Sequence, residues 1–285
     1  MYKLTIGVVG LGLVGNSILK SFNVKITELD LEKYINVIGY DKFKNGGIGQ
    51  FEDCLGCDIL FLALPTLYNE EIKSYQYEPI FETCELLEKN NFNGTIVIKS
   101  TIEPTTTNIL SEKFSKLHMI HNPEFLTART AYDDFHNQQH IVIGKGPNCP
   151  DDKLEKVTSL YKLLYPDANI SICEAIESES MKIFCNTFYA VKIQYFNELY
   201  LLCNKLGSNY NKIVELMLKN NWINPMHTNV PGPDGKLSYG GLCFPKDTNA
   251  LLQFMKKFDA PHSVLEATVT ERNEFRDDHE NVQRN

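Results

Sequence analysis

The sequence predicts an α/β protein in which a doubly wound parallel sheet is followed by an all-helical domain. Apolar runs of strand length alternate with helical patterns over residues 1–173, which is typical of a parallel sheet covered by helices. From residue 174 onward the pattern is helical, beginning with a long segment at 175–205. We therefore predict a sheet domain at 1–173 and a helical domain at 174–285.

The strands and helices of the first domain follow one another regularly. The predicted strands occupy residues 3–9, 36–40, 58–64, 95–99, 117–120, 140–143 and 169–172. The predicted helices begin near residue 14 and occupy 79–89, 105–114 and 151–164. Ligands bind outside the carboxyl ends of parallel strands, so the residues that follow these strands are site candidates. They are Pro65, Thr66, Ser100, Thr101 and Asn122–Leu126.

A glycine motif follows the first strand. Gly10-Leu-Gly-Leu-Val-Gly15 has the spacing GxGxxG of a Rossmann-type domain, and Asp41 ends the second strand. Such glycines permit a tight turn, a close approach of pyrophosphate to the backbone, and close helix packing at the phosphate-binding helix start. A carboxylate at Asp41 is expected to hold the adenosine ribose and repel a 2′-phosphate, which favours NAD over NADP. The alternative is a nucleotide-free domain with a glycine-rich turn.

One thiol lies in a distinctive segment near the end of the chain. The run Tyr239-Gly-Gly-Leu-Cys-Phe-Pro-Lys-Asp-Thr248 places Cys243 between a glycine pair and a predicted helix, with Pro245 suited to its first turn. The helix N-terminus and the charge of Lys246 favour a thiolate. Cys243 is therefore a candidate nucleophile, and a small buried cysteine in a helix-entry loop is the alternative.

The composition limits the kinds of molecule that the protein is expected to bind. A net charge of −8 without a basic cluster argues against nucleic-acid and anionic-membrane surfaces. No apolar run spans a bilayer and no signal peptide is evident, so we expect a cytoplasmic protein. Eight scattered cysteines fit reduced thiols, and the seven histidines show no metal-binding spacing, so no metal site is predicted. The charged segment from Glu271 to Asn285 is predicted to be a solvated helix end or a frayed terminus.

The ordered segments together resemble the UDP-glucose/GDP-mannose dehydrogenase family. The matching segments are Gly10–Gly15, Pro65-Thr66, Ser100–Pro104 with Thr106-Thr107, Asn122–Leu126, Asn186–Lys192 continuing to Glu198, and Tyr239–Thr248. The resemblance implies two oxidations that convert the primary alcohol of a nucleotide sugar, UDP-glucose first among candidates, to a carboxylate with NAD as hydride acceptor. A homodimer through the long helix is also expected.

The resemblance implies a role for each matching residue. Lys192 and Asn197 polarise the reacting oxygen, while Asp247 holds a water or the lysine for proton transfer. Cys243 attacks the aldehyde and passes through a thiohemiacetal and a thioester. The remaining catalytic residues are Glu124, which assists hydrolysis, and Thr101, near the nicotinamide. The cofactor-binding residues are Gly10, Gly12, Leu13, Val14, Gly15, Asp41, Pro65, Thr66, Ser100 and Thr101. The substrate-binding residues are Glu124, Phe125, Leu126, Lys192, Asn197, Tyr239, Gly240 and Gly241.

Three features depart from the family pattern. Ala128 stands where a second glutamate is usual, and the loop at 224–238 has no arginine to offer a neighbouring subunit. We also expect a short form without the nucleotide-gripping third domain. Two other functions therefore stay open: an NAD-dependent alcohol or 3-hydroxyacid dehydrogenase that needs no Cys243, and a non-catalytic nucleotide-binding accessory protein.

Overall fold

The computed structural model describes residues 3–278 and divides the chain into two compact units. The first unit comprises Met1–Thr66 and Gln76–Lys182, and the second comprises Leu67–Tyr75 and Ile183–Asn285. The predicted division between residues 173 and 174 stays a prediction.

The first unit contains a seven-stranded sheet with helices between its strands. Its strands are β1 (Leu4–Val9), β2 (Ile35–Tyr40), β3 (Ile59–Leu62), β6 (Thr95–Ile98), β7 (His118–His121), β8 (His140–Lys145) and β9 (Asn169–Glu174). Its helices are α1 (Leu13–Glu28), α2 (Phe51–Cys54), α3 (Glu78–Lys89), α4 (Thr106–Lys113), α5 (Ala131–His136) and α6 (Asp151–Leu164). The predicted α/β fold class is confirmed, although α2 and α5 were not predicted.

The strand register aligns the carboxyl ends of five strands. The sheet order is β2-β1-β3-β6-β7-β8-β9. The strand ends that lie opposite one another are Val9, Tyr40, Leu62, Ile98 and His121. The residues that follow these strands therefore meet at one edge, as predicted. The sheet is parallel, as predicted, except at one pair, where β8 runs antiparallel to β7.

The sheet is buried on both faces. Alternating residues of β3 enter two apolar clusters, with Ile59 and Phe61 on one face and Leu60 and Leu62 on the other. Phe22 of α1 packs edge-on against Phe61 with ring centroids 5.4 Å apart. Each such buried side chain contributes about 1.5–3 kcal/mol. Double burial explains why these strands appear in the sequence as continuous apolar runs.

Among the described residues, the regular elements of the second unit are one hairpin and four helices. Strands β4 (Tyr68–Asn69) and β5 (Ser74–Tyr75) pair antiparallel, and the hairpin was not predicted. The helices are α7 (Ala175–Leu206), whose first turns belong to the first unit, α8 (Tyr210–Leu218), α9 (Phe244–Lys257) and α10 (Ser263–Phe275). No helix among residues 3–278 is both long and apolar enough to cross a membrane.

The prediction for the end of the chain is wrong for two arginines. Helix α10 continues to Phe275, and Arg272 and Arg276 are only 4% and 5% exposed. Their guanidinium groups bind backbone carbonyls and acidic side chains inside the second unit, so they are not solvated. The part of the predicted tail from residue 279 onward lies outside the described residues.

Candidate active site

In the glycine turn after β1, Gly10 and Gly15 lie so close to backbone carbonyl groups that neither has room for a side chain. Gly10 has φ +84°, a conformation that favours glycine. A Cβ at Gly10 would lie 2.5 Å from the carbonyl oxygen of Ala63, and a Cβ at Gly15 would lie 1.8 Å from the carbonyl oxygen of Gly10. Both glycines are therefore required by close packing of the turn, α1 and the end of β3.

Helix α1 presents an N-terminus without a side-chain cap. Gly12 is the N-cap, Leu13 and Val14 begin the helix, and no acidic residue occupies its first turn. The N–H groups of a first helical turn lack intrahelical acceptors, and the helix dipole adds positive potential there. The turn and the helix start together fit the pyrophosphate of a dinucleotide.

Asp41 is held beside this turn by backbone donors. Its Oδ2 accepts a hydrogen bond from the N–H of Leu11 at 2.7 Å, and its Oδ1 accepts from Phe43 and Lys44 at 3.0 and 2.8 Å. Partial burial acts to raise the pKa of this carboxyl, but the three donors and the Lys44 ammonium outweigh it and lower the pKa. Asp41 is therefore a fixed carboxylate at the end of β2, suited to ribose hydroxyls.

Two of the predicted strand-end runs are bonded to each other. The hydroxyl of Thr66 donates to the carbonyl oxygen of Thr101 at 2.7 Å, and the hydroxyl of Ser100 donates to that of Leu64 at 2.7 Å. Pro65 is exposed between them. The structure thus brings together the candidates after β3 and β6.

Glu124 is paired with a lysine at the start of α7. Lys182 Nζ lies 3.2 Å from Oε1 of Glu124 and also donates to the Glu124 carbonyl oxygen at 2.5 Å. The N–H of Leu126 donates to Oε2 at 2.6 Å. Both charged side chains are at least 90% buried, whereas Phe125 is exposed and stacks on His140. This environment fixes the Glu124 carboxylate in one orientation.

Lys99 is bonded to the two residues before Glu124 and was not predicted from the sequence as a site residue. It is 2% exposed, and its Nζ donates to Oδ1 of Asn122 at 2.9 Å and to the Pro123 carbonyl oxygen at 3.1 Å. Complete burial lowers the pKa of Lys99 to about 7, against the opposing charge of Glu124. The sequence feature that could have indicated a buried lysine is its position at the end of an otherwise apolar strand.

Cys243 is the N-cap residue of α9. The helix begins at Phe244 with Pro245 in its first turn, as predicted, and the Cys243 carbonyl oxygen accepts from the N–H of Asp247 at 2.9 Å. Cys243 is exposed, while the other seven cysteines are buried or half-buried. Burial raises the pKa of Cys54 and Cys57 to about 11 and about 12, so this CxxC pair is suited to packing.

Asp247 is a fully buried acceptor in the first turns of α9. Its Oδ1 accepts from the hydroxyl of Tyr75 at 2.5 Å and from Lys246 Nζ at 2.6 Å, and its Oδ2 accepts from Nδ2 of Asn186 at 2.6 Å. The lysine bonded to Asp247 is Lys246, whereas Lys192 donates to the Asn224 carbonyl oxygen. Tyr75 was also missed, because its hairpin carries no motif.

Asn197 anchors the loop that leads to the cysteine. Its Oδ1 accepts from the N–H of Ser238 at 2.9 Å, and its Nδ2 donates to the Ile193 carbonyl oxygen at 2.7 Å. Burial lowers the pKa of Lys192 on the same helix. The catalytic roles of Lys192 and Asn197 stay predictions.

The segment before Cys243 is bonded to Arg272 of α10 and to Arg276, the residue that follows this helix. Arg276 donates to Asp234 Oδ2 at 2.5 Å and to the carbonyl oxygens of Leu237 and Ser238, and Arg272 Nε donates to the Tyr239 carbonyl oxygen at 3.3 Å. A Cβ at Gly240 would lie 2.4 Å from Nη2 of Arg276, while Gly241 has φ +80° and open space around it. Gly240 therefore leaves room for a guanidinium group.

The glycine turn, the uncapped helix and the fixed Asp41 carboxylate define a dinucleotide-binding domain. The chain belongs to the UDP-glucose/GDP-mannose dehydrogenase family: residues 17–165 match its NAD-binding domain and residues 176–274 match its central domain. The members are NAD-dependent oxidoreductases that act on CH–OH groups. The cofactor of the first unit is NAD.

Two relatives cover most of the chain. A UDP-glucose 6-dehydrogenase of Campylobacter jejuni is 27% identical over 295 residues, which cover 94% of this chain and 72% of the relative. A UDP-glucose 6-dehydrogenase of Rickettsia bellii is 30% identical over 238 residues, covering 75% of this chain. The match spans only 52% of the Rickettsia protein.

Solved structures share the fold. A UDP-glucose dehydrogenase from Pyrobaculum islandicum has a TM-score of 0.80 at 23% identity, covering 96% of this chain and 68% of that one. A 3-hydroxyisobutyrate dehydrogenase from Mycobacterium tuberculosis has a TM-score of 0.75 at 17% identity, covering 98% of this chain and 96% of that one.

Proposed function

We propose that the protein is a nucleotide-sugar 6-dehydrogenase that oxidises UDP-glucose to UDP-glucuronate through Cys243. The observation that carries this proposal is the exposed thiol of Cys243 at the start of α9, whose first turns also contain Lys246 and Asp247. A helix N-terminus and a nearby ammonium group favour the thiolate, which is the nucleophilic form. The relatives that are UDP-glucose 6-dehydrogenases support the substrate.

The first oxidation removes a hydride and a proton from the primary alcohol and leaves an aldehyde. NAD, when bound, supplies the hydride acceptor. Lys192 and Asn197 donate hydrogen bonds to the reacting oxygen, and Asp247 holds a water or a lysine through which the proton passes to solvent. The residues suited to holding the cofactor are those of the glycine turn, Asp41 and the strand-end runs.

The second oxidation proceeds on the enzyme thiolate. Sγ of Cys243 adds to the aldehyde carbon, and the carbonyl oxygen takes a proton to give a thiohemiacetal. Loss of that proton and of a second hydride, for which a second NAD would be the acceptor, gives a thioester. Water then attacks the thioester carbon, the C–S bond breaks with return of the thiolate, and the carboxylate product leaves. Glu124, held by Lys182, assists the attack of water.

Product stoichiometry tests the proposal. Purified protein with NAD and a panel of UDP- and GDP-sugars is expected to form two NADH per sugar acid with UDP-glucose, and a Cys243 thioester peptide should be detectable by mass spectrometry. Cys243→Ser should lose at least about 100-fold in carboxylate formation. Cys173→Ser, which changes a half-buried thiol in the first unit, should retain full activity. One NADH with accumulating aldehyde would remove the four-electron mechanism.

A second candidate function, that of a simple hydroxyacid dehydrogenase, is supported by one of the solved structures. The 3-hydroxyisobutyrate dehydrogenase matches this chain over 96% of its own length, so a dehydrogenase of small hydroxyacids shares the fold of both units. A simple NAD-dependent alcohol or 3-hydroxyacid dehydrogenase needs Lys192 but no covalent cysteine. Full activity of Cys243→Ser toward a small hydroxyacid, with none toward nucleotide sugars, would establish this alternative.

We also propose a homodimer through α7. The residues of this helix that expose large apolar side chains at about helical spacing are Phe184, Phe188, Tyr195, Leu202 and Leu206. Exposed apolar side chains that recur along one helix are typical of an interface. Sedimentation should give a dimer, and Phe188→Glu should shift it toward monomer. The cytoplasmic location stays a prediction.

A further inference from the structure

The hairpin of the second unit packs on α9 and places the buried side chain of Tyr75 against that helix. Strands β4 and β5 contact α9, and Tyr75 ends the hairpin at 1% exposure, opposite Tyr68. A buried tyrosine hydroxyl needs a hydrogen-bond partner. Tyr75 finds one in Oδ1 of Asp247, at 2.5 Å.

The same tyrosine also contacts the cation that is bonded to Asp247. Lys246 Nζ donates to Oδ1 at 2.6 Å and lies 4.5 Å from the centroid of the Tyr75 ring. Asn186 donates to the other carboxylate oxygen at 2.6 Å. Tyr75 therefore holds the carboxylate through its hydroxyl and the ammonium group through its ring, by two separate interactions.

These contacts set both the orientation and the effective charge of the first turns of α9. A buried carboxylate that receives several donors shares its negative charge among them. Without the phenol, Asp247 depends more on Lys246, which leaves less positive potential in the helix turn that follows the N-cap residue Cys243. We propose that Tyr75 is a positioning residue for the oxidation, acting through Asp247 and Lys246 on the reactivity of Cys243. This inference rests on the function proposed above.

Replacing Tyr75 by phenylalanine isolates the hydroxyl, because the ring that faces Lys246 is kept. Tyr210 offers a matched control: it is a buried tyrosine of the same unit, and its hydroxyl donates to the Thr228 carbonyl oxygen at 2.7 Å. Tyr210→Phe removes a comparable hydrogen bond away from Asp247. General loss of packing or stability should affect the two variants alike.

Steady-state kinetics of the full chain with NAD and UDP-glucose provide the first measurement. Tyr75→Phe should lower kcat about 10-fold, equivalent to about 1.4 kcal/mol, and should leave KM for both substrates within about 2-fold because neither is contacted. Tyr210→Phe should leave kcat unchanged. An unchanged kcat in Tyr75→Phe, or a loss confined to KM, would overturn the inference.

Alkylation of Cys243 by iodoacetamide provides a second measurement that needs no turnover. At pH 7, followed on the Cys243 peptide by mass spectrometry, Tyr75→Phe should react about 3-fold more slowly than the wild type, since less thiolate is present. Tyr210→Phe should react at the wild-type rate. A wild type that oxidises no nucleotide sugar contradicts the proposed function alone, whereas equal alkylation rates contradict the role of Tyr75.

Discussion

The glycine turn of the first unit and the glycine pair of the second unit are held by different kinds of contact. Gly15 lies against the backbone of Gly10, within the same short motif. Gly240 lies against the guanidinium group of Arg276, which follows α10 and is far from Gly240 in the sequence. In the first case the neighbour is close in sequence and rigid, and in the second it is distant in sequence and carried on a flexible side chain.

The difference has a consequence for how each site responds to change. A backbone turn cannot yield without moving the strand and helix that it connects, so its geometry is nearly all-or-none. A segment held by side chains can shift by small amounts when one contact is altered. The NAD-binding turn should therefore be rigid, whereas the position of Cys243 should be adjustable through Arg272 and Arg276.

The largest effect should come from Gly15→Ala. The added Cβ would lie 1.8 Å from a carbonyl oxygen, so α1 must move away from the turn. We expect a loss of at least about 3 kcal/mol of stability, measured by urea denaturation, together with loss of NADH binding measured by fluorescence titration. Gly56→Ala is the matched control, because its Cβ would meet nothing closer than 3.9 Å.

In the first unit, the start of α4 is also held by a side chain distant in sequence, that of Glu179. The stability of the protein should depend on pH because of this contact. Glu179 of α7 is fully buried, and its Oε1 accepts from the N–H of Thr107 in the first turn of α4 at 2.7 Å. Burial raises the pKa of Glu179 to about 7, although hydrogen bonds from Thr107 and Thr105 oppose the shift. The folded protein thus binds a proton more tightly here than the unfolded chain.

Stability should fall as pH rises through this interval. Below the unfolded pKa, about 4.3, both states are protonated and Glu179 costs nothing. As pH rises toward 7 the unfolded chain loses its proton first, which destabilises the fold by about 3 kcal/mol. Glu179→Gln keeps an acceptor for Thr107 and should remove this part of the slope in denaturation from pH 5 to 8. Glu177→Gln, an exposed neighbour, should leave the slope unchanged, and equal slopes in all three proteins would contradict the explanation.

The sequence predicted the first unit better than the second for the same physical reason. A GxGxxG turn, a strand and an acidic strand end are local patterns, and parallel strands bring their ends to one edge, which the register confirms for Val9, Tyr40 and Leu62. The start of α9 after Cys243 could also be predicted from a local pattern, because Pro245 marks a first helical turn.

Contacts between distant residues were not predictable in this way. Nothing in the local pattern around Tyr75 indicates that its hairpin packs on α9. Arg272 and Arg276 lie in a segment whose charge favoured a solvated helix end. Lys99 is a milder case, since a lysine after an apolar strand is as consistent with exposure as with burial. Each of these depends on tertiary packing, which a single sequence does not specify.

The smallest effect, and the closest test of the comparison, should come from Gly240→Ala. The same substitution as at Gly15 now meets the end of a side chain, 2.4 Å from Nη2 of Arg276, so we expect a cost of only about 1 kcal/mol. In an Arg276→Ala background the cost should fall close to zero, because the obstructing group is gone. Gly241→Ala, strained by its φ of +80° with open space around it, should cost the same in both backgrounds. If Gly240→Ala were equally costly with and without Arg276, the segment would be held by its backbone, as the NAD-binding turn is, and the contrast between the two regions would disappear.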